Sequence, residues 1–176
     1  MKSLYYFVLF MRGDLFTSGP DVSFRKLIQG AAAGFIATAP MSLTMLIGWR
    51  LLPGRQRYPL APRLITEEIT ERVGIEDQLT EDQLVGLTIF SHFGYGALFG
   101  AFYTLLDEKM PMHSSLSGIL MGLAVWVGSY LGWLPALGIL RPATRHPWRR
   151  NLLMILAHVV WGLTLGEMTR KLAKNN

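Results

Sequence analysis

The sequence predicts an all-α integral membrane protein: a bundle of four spanning helices with a short amphipathic surface helix between the first and second. Three observations lead there. Residues 27–49, 84–106 and 114–140 contain no Asp, Glu, Lys or Arg, and residues 151–166 form a shorter fourth run of the same kind. Hydrophobic residues make up 51% of the 176-residue chain and charged ones 16%, whereas ordinary soluble domains carry roughly 25% charged residues. The bases Arg25, Lys26, Arg50, Arg141, Arg149, Arg150, Arg170 and Lys171 stand at the ends of the runs, where lipid phosphates would meet them.

Run length decides between membrane and soluble bundle. A hydrocarbon core about 30 Å thick needs about 20 apolar residues at about 1.5 Å per residue. Three runs meet this outright, and the fourth does if Glu167 lies among the head groups and the helix continues to Arg170. Buried helices of a soluble bundle normally keep a polar face, and these runs show none. The chain therefore reads as one membrane domain over residues 1–176, with spans at 27–50, 84–106, 117–140 and 151–169 and a polar insertion at 53–83.

Element by element, "LYYFVLF" near the N-terminus is too short to span and has no small-residue cleavage site after it. It is expected to lie in the interface, or Met11 is the true start. Pro40 inside the first span removes one helix hydrogen bond and frees the carbonyl of Ile36. In the insertion, "RLITEEITERVG" puts Leu64, Ile65, Ile69 and Val73 on one helical face, and Gly74 supplies a stop, so a short amphipathic helix is expected to lie on the membrane surface or to cap the bundle. "TEDQ", Thr80 to Gln83, is a capping-box pattern opening the second span. Pro135 is expected to kink or close the third span, and Pro142 and Pro147 make the next connection a loop. Four spans place both termini on one side. With Lys2 and Arg12 set aside, six Lys/Arg lie on that side against nine on the other, which favours cytoplasmic loops and non-cytoplasmic termini.

Aligned on histidine, the second and fourth spans share Ile-x-x-His-x-x-aromatic-Gly-x-x-x-Gly: Ile89, His92, Tyr95, Gly96 and Gly100 against Ile155, His158, Trp161, Gly162 and Gly166. The spans before them each begin with Gly-x-x-x-Gly, Gly30 and Gly34 in the first, Gly118 and Gly122 in the third. A duplicated helical hairpin explains this, with the copies related by an axis along the membrane normal. The histidine and two glycines fall at i, i+4 and i+8 on one face. Small residues at that spacing let backbones approach closely in lipid, where packing drives association.

Both histidines then sit about 12 Å into their spans, at similar depth, on the side of the arginine-rich loop. A polar ring at that depth should face the bundle interior and have a partner. The first reading is a structural pair, each imidazole hydrogen-bonded to a carbonyl, hydroxyl or water, with the backbone opened by Pro40 a candidate partner. Alternatives are a proton or ion pathway, and axial ligation of a tetrapyrrole, haem or chlorin, beside glycines that make room for a macrocycle. A simple metal site lacks a recurring carboxylate or third histidine, and no cofactor is predicted.

The other polar residues read more plainly. Glu167 with Arg170 and Lys171 is an interfacial ion pair, and His113 and His146 are solvated loop residues. Arg141, Arg145, Arg149 and Arg150 are lipid head-group anchors, with an anionic substrate as the rival use. Trp126, Tyr130 and Trp133 serve packing or an interface belt. The absence of cysteine removes disulfides, thiolate metal sites and thiol catalysis. No basic stripe is interleaved with exposed aromatics, so nucleic acid is not an expected partner. Nothing resembles a nucleophile–base set or a phosphate-cradling loop.

"GAAAGFIATAPM", "GILMGLAVWVGSYLGWLPALGIL" and the two His-x-x-aromatic-Gly spans resemble the YagU-like group of small bacterial inner-membrane proteins, over about residues 25–170. The resemblance implies a helical protein of the bacterial inner membrane and brings no reaction or ligand. The expected function is non-enzymatic: an accessory or structural subunit, or a self-associating bundle. Its expected partners are the bilayer and other membrane subunits or further copies of itself. The alternatives are a small transporter or channel-like protein using the histidine pair, and a tetrapyrrole-binding subunit.

Overall fold

In a lipid environment every backbone polar group must be paired within its own segment, so an uncharged run of this length folds as a helix. The computed structural model describes residues 20–107 and 112–174; the "LYYFVLF" segment, Lys2, Arg12 and Lys109 lie outside the described residues. Five long elements form: α1 Pro20–Leu51, α2 Ala61–Arg72, α3 Glu81–Asp107, α4 Ser114–Val127 and α5 Trp148–Lys174. Beyond Val127, α4 continues through a π-helical turn, Gly128–Trp133, and a last turn, Leu134–Ala136. Four helices, Phe24–Leu51, Glu81–Asp107, Ser114–Ala136 and Trp148–Ala173, are long and apolar enough to cross a membrane. The chain is a four-helix membrane bundle.

Its helices lie in the order α3, α1, α5, α4. Helix α1 packs along both α3 and α5, and α5 along α4, while α3 and α4 touch at few positions. Glycine sets the two closest contacts. A Cβ on Gly34 would overlap the Gly96 carbonyl oxygen, and one on Gly30 the Gly100 carbonyl oxygen. In the other hairpin a Cβ on Gly118 would overlap the carbonyl oxygen of Gly162, and one on Gly122 that of His158. These are backbone-to-backbone contacts that only glycine allows. They also correct the register read from sequence. Gly34 faces Gly96 as Gly118 faces Gly162, while Ser114, rather than a glycine, meets Gly166. Gly118, rather than Gly122, therefore holds against Gly162 the place that Gly34 holds against Gly96.

The third span also differs from expectation. It ends at Ala136 rather than residue 140, and its bend lies at Gly132 (φ −107°, ψ −110°), upstream of Pro135. The π turn absorbs one extra residue, which breaks the helical register before proline does. Gly138 then takes φ +68° to close the turn.

At the terminal side α3 and α4 are tied together. Tyr103, fully buried, donates its hydroxyl hydrogen bond to Asp107 Oδ1 at 2.7 Å, and Ser117 donates to the same oxygen at 2.6 Å. Toward the other side the two helices part, and α2 lies across the gap. Arg63 of α2 grips Glu81 at the start of α3 with two bonds of 2.9 and 2.8 Å. Arg72 donates to the Leu137 carbonyl just beyond α4, at 2.7 Å. Gly74 (φ +71°) ends α2 as expected. Of the expected apolar face, Leu64 and Ile65 pack against the core while Ile69 and Val73 are exposed, and Ala61, Thr66 and Thr70 are buried beside it. Thr66 and Thr70 bond their hydroxyls to the carbonyls of Pro62 and Thr66, so threonine hides its polar atom inside the helix and packs as a small apolar residue.

"TEDQ" forms the reciprocal cap. Thr80 N–H donates to Gln83 Oε1 (2.8 Å), and Gln83 N–H to Thr80 Oγ1 (3.3 Å).

Candidate functional site: a cavity at the parting of two spans

Where α3 and α4 diverge beneath α2, the bundle encloses a cavity of about 210 Å³. Its walls come from every long element: Thr38, Met41 and Met45 from α1, Ile65 and Ile69 from α2, His92, Tyr95 and Phe99 from α3, Ser129, Tyr130 and Trp133 from the π turn, and His158 and Trp161 from α5. Both histidines, and both aromatics three residues after them, thus line one chamber. Among the described residues, no Asp, Glu, Lys or Arg lines it.

Local geometry explains who points in. Gly96 and Gly162 bring their helices against α1 and α4, so the residues one turn earlier, His92 and His158, lie beside the same contact. The π turn shifts the face of α4 and brings Ser129, Tyr130, Trp133 and Leu134 to the cavity wall. Wide turns of this kind often occur where a side chain must be re-aimed.

The polar groups in the chamber are unequally satisfied. Thr38 donates to the Gly34 carbonyl at 2.8 Å, and Trp161 Nε1–H donates to the same oxygen at 3.2 Å. Tyr95 and Ser129 share a hydroxyl hydrogen bond of 2.8 Å across the gap between α3 and α4, and Trp133 Nε1–H donates to the Tyr95 oxygen at 3.3 Å. His158 Nδ1–H donates to the Met154 carbonyl at 2.7 Å, and Tyr130 meets the imidazole edge-on at 6.1 Å. In the neutral ring that bond leaves the lone pair on Nε2. His92 is different: its Nε2 is buried with no protein partner. The Ile36 carbonyl that Pro40 frees is bonded neither by His158 Nδ1, which takes Met154, nor by His92 Nε2.

The polar cluster near the arginine-rich loop is structural. Arg150, only 4% exposed, donates to the carbonyls of Gln56, Tyr58 and Pro59 at 3.0, 2.8 and 2.7 Å and lies 3.5 Å over the Tyr58 ring. It pins the 53–60 connection and is not placed to hold a head group, which corrects the sequence reading. Arg141, Arg145 and Arg149 are exposed, Arg149 lying 5.4 Å from the Trp148 ring. His146 is likewise not a solvated loop residue. It is half-buried, with Nδ1 2.6 Å from the Tyr58 hydroxyl and Nε2 3.1 Å from the Arg141 carbonyl. Burial pushes its pKa below the ordinary 6.5, and the charges of Arg150 and Arg141 push the same way, against the carbonyl bond that raises it. His113 is exposed and caps α4 by accepting from Ser115 N–H. Glu167 pairs with Arg170 at 2.5 Å and also accepts from Ser115.

Ile65 and Ile69, on the apolar face that the sequence gives to α2, line the cavity; sequence reasoning missed Ser129, whose hydroxyl meets Tyr95. The available signal was "VGSYLGW", a Gly-Ser and a second glycine beside two aromatics within the uncharged third span.

Comparison with curated proteins gives no match, and comparison with solved structures gives none either. A family model matches residues 51–166, from the end of α1 through α2, α3 and α4 into α5, and so covers most of the cavity wall. The chain belongs to the family described as "Protein of unknown function (DUF1440)".

Proposed function

We propose that this multi-pass membrane protein is a non-enzymatic binder of a small apolar molecule, which it takes from the lipid phase into the cavity between α3 and α4. The observation that carries the reading is the chamber itself: apolar walls from five helices around a few convergent polar groups, the usual composition of a ligand site. Access is lateral. Ser91, Ile69 and Trp133 line the cavity and are exposed, Trp133 to 40%, so the lips open between two spans at a depth where lipid lies. Helix α2 covers the loop side, and the Tyr103–Asp107–Ser117 cluster holds the opposite end together.

This reading is favoured over an ion pathway, since among the described residues no Asp, Glu, Lys or Arg lines the cavity and the titratable rings there are two histidines and two tyrosines. It is favoured over a tetrapyrrole site by volume: 210 Å³ is below the about 300–1,000 Å³ typical of pockets for drug-sized ligands, and a macrocycle is larger still. The glycine faces meet within the chain. An accessory role toward other membrane subunits, or pairing with a second copy, would therefore use the outward surfaces. The repeated histidine motif and the matching glycine contacts support descent from a duplicated hairpin. The YagU-like resemblance supports a place in the bacterial inner membrane, and the excess of Lys/Arg in the two loops supports termini on the non-cytoplasmic side.

The test is equilibrium binding of tritiated 4-octylanisole to the protein in lipid nanodiscs. Saturable binding at one molecule per chain is expected, and Ile69→Trp, which fills the mouth from α2, should abolish it. Simple partitioning that is the same with wild type, Ile69→Trp and empty nanodiscs would overturn the proposal.

A further inference from the structure

We propose that the ligand is a hydrophobe with a hydrogen-bond-accepting oxygen, a ketone or a similar carbonyl compound, held by the hydroxyl pair of Tyr95 and Ser129 that spans the gap between α3 and α4. This rests on the binding reading above and adds the chemical class of the ligand and the groups that select it.

The hydroxyl hydrogens at the gap do not balance. Tyr95 and Ser129 bring two, and their 2.8 Å bond uses one. Whichever oxygen donates, the hydrogen of the other is left over. Trp133 Nε1–H, 3.3 Å from the Tyr95 oxygen, adds a further donor and no acceptor. Neither hydroxyl has another partner among the described residues. The contrast with other hydroxyls in the spans is specific. Thr38, Ser42, Thr44, Thr88 and Thr164 each donate to the carbonyl four residues earlier, which hides the group within its own helix. Ser129 stands in the π turn Gly128–Trp133, where the carbonyls leave α-helical register, and it makes no such bond although it is only 4% exposed.

Both residues line the chamber. Tyr95 lies about 21 Å along α3 from Glu81, near the middle of that helix, at a depth where neither water nor lipid ester oxygens supply an acceptor. A buried donor left unmet is costly. A ligand carbonyl meets it, and a hydrocarbon does not. The chamber's other polar groups do not offer a free hydrogen in this way. Thr38, Trp161 and Ser91 already donate to backbone carbonyls. His158 gives its Nδ1–H to Met154, so its Nε2 can only accept, and His92 Nε2 is buried. Tyr130 also lines a second, smaller cavity with His146 and Arg150 and feels the charge of Arg150, so its hydroxyl is turned to the loop side.

Shape gives the rest of the class. Phe99 and Trp133 flank the Tyr95 ring, with centroids 4.6 and 6.2 Å away, and make flat apolar walls beside the hydroxyl pair. At about 210 Å³ the chamber holds a head of one ring with its carbonyl, and a longer tail would leave through the lateral opening into lipid.

The experiment compares 4-octylacetophenone with the alkene in which C=CH₂ replaces its C=O, both binding to the protein in nanodiscs. Dissociation constants are expressed as mole fractions in lipid, so that partitioning cancels. Wild type should bind the ketone about tenfold tighter than the alkene, the fold-change of one neutral hydrogen bond from a buried donor. Tyr95→Phe and Ser129→Ala each leave one hydroxyl hydrogen without an acceptor, so each should keep the preference. Trp133→Phe and Tyr130→Phe should keep it too. The triple variant Tyr95→Phe/Ser129→Ala/Trp133→Phe, which has no donor left at the gap, should bind the two compounds equally. Equal binding by wild type would overturn the inference while leaving the binding reading in place. A preference that survives in the triple variant, or that Tyr130→Phe removes, would also overturn it by assigning selection to another group. Should the triple variant bind neither compound, the infrared band of the ¹³C=O-labelled ketone decides. It should lie at lower frequency with wild type than in empty nanodiscs, and lower with Ser129→Ala than with Tyr95→Phe, because a phenol is the stronger donor. An unshifted band would overturn the inference. Failure of both compounds to saturate wild type would instead remove the binding reading beneath it.

Discussion

Gly94 and Gly100 lie on the same helix, six residues apart, and replacing each by alanine should move stability in opposite directions. At Gly94 a new Cβ meets nothing within 4 Å. At Gly100 it would overlap the Gly30 carbonyl oxygen and come within 2.7 Å of Gly34 Cα and 2.9 Å of Gly34 N. Both substitutions gain about 1 kcal/mol of helix propensity. Only the second must push α1 away, and overpacking typically costs about 1–3 kcal/mol. The obstructing atoms are backbone, which cannot rotate aside as a side chain can, so the upper end applies. Gly100→Ala should then be destabilised by about 2 kcal/mol and Gly94→Ala stabilised by about 1, a gap of about 3. The assay is reversible unfolding by titrating a denaturing detergent into mixed micelles, following helicity and tryptophan emission together. Gly100→Ala as stable as Gly94→Ala would refute the reasoning, since it would mean that α1 and α3 do not meet at Gly30 and Gly34.

Two further outcomes follow from the loop side of the bundle. Arg150→Met keeps the apolar stem but leaves the carbonyls of Gln56, Tyr58 and Pro59 without their shared donor. Charged hydrogen bonds of this kind contribute about 1.5–3 kcal/mol each, and partial rewetting of an opened loop leaves a net loss of about 3. Trypsin cleavage after Arg55 and Arg57 should accelerate at least tenfold, and a wild-type cleavage rate would count against the pin. His146 gives a pH dependence of definite sign. Its folded pKa lies below the ordinary 6.5 because of burial first and nearby arginines second. Its contribution is therefore complete above pH 6.5 and is lost as the pH falls from there through the folded value, where the unfolded chain binds more protons. Melting temperature measured from pH 7.5 to 4.5 should fall less steeply in His146→Gln than in wild type; parallel curves would remove His146 as a source of the acid sensitivity.

Much of the architecture was legible because hydropathy in a membrane protein is nearly a local property. The length of a run without Asp, Glu, Lys or Arg decides whether a helix spans, whatever its neighbours do, so four spans and the placement of both loops on one side follow from residues alone. The reciprocal cap at Thr80 and Gln83 and the stop at Gly74 are local in the same sense, each set by contacts within four residues. The repeated His-x-x-aromatic-Gly pattern also marked the residues that line the cavity, because a residue four before a close-contact glycine lies on the same helix face.

What the sequence could not determine depends on how the helices are rotated and crossed. A stripe of small residues shows that a face is close-packed, not which face it meets, and so the pairing of Gly34 with Gly96 and of Gly118 with Gly162 belongs to the tertiary structure. The π turn at Gly128–Trp133 shifts a whole face with a single added residue, and no 3.6-residue pattern contains that shift. Arg150, His146, Thr66 and Thr70 look like surface residues by type; each is buried or half-buried because carbonyls and a hydroxyl supplied by the fold, on other segments or one helical turn away, satisfy them. The same dependence leaves His92 Nε2 without a protein partner: whether a buried polar atom finds its partner is settled only when every neighbouring helix is in place.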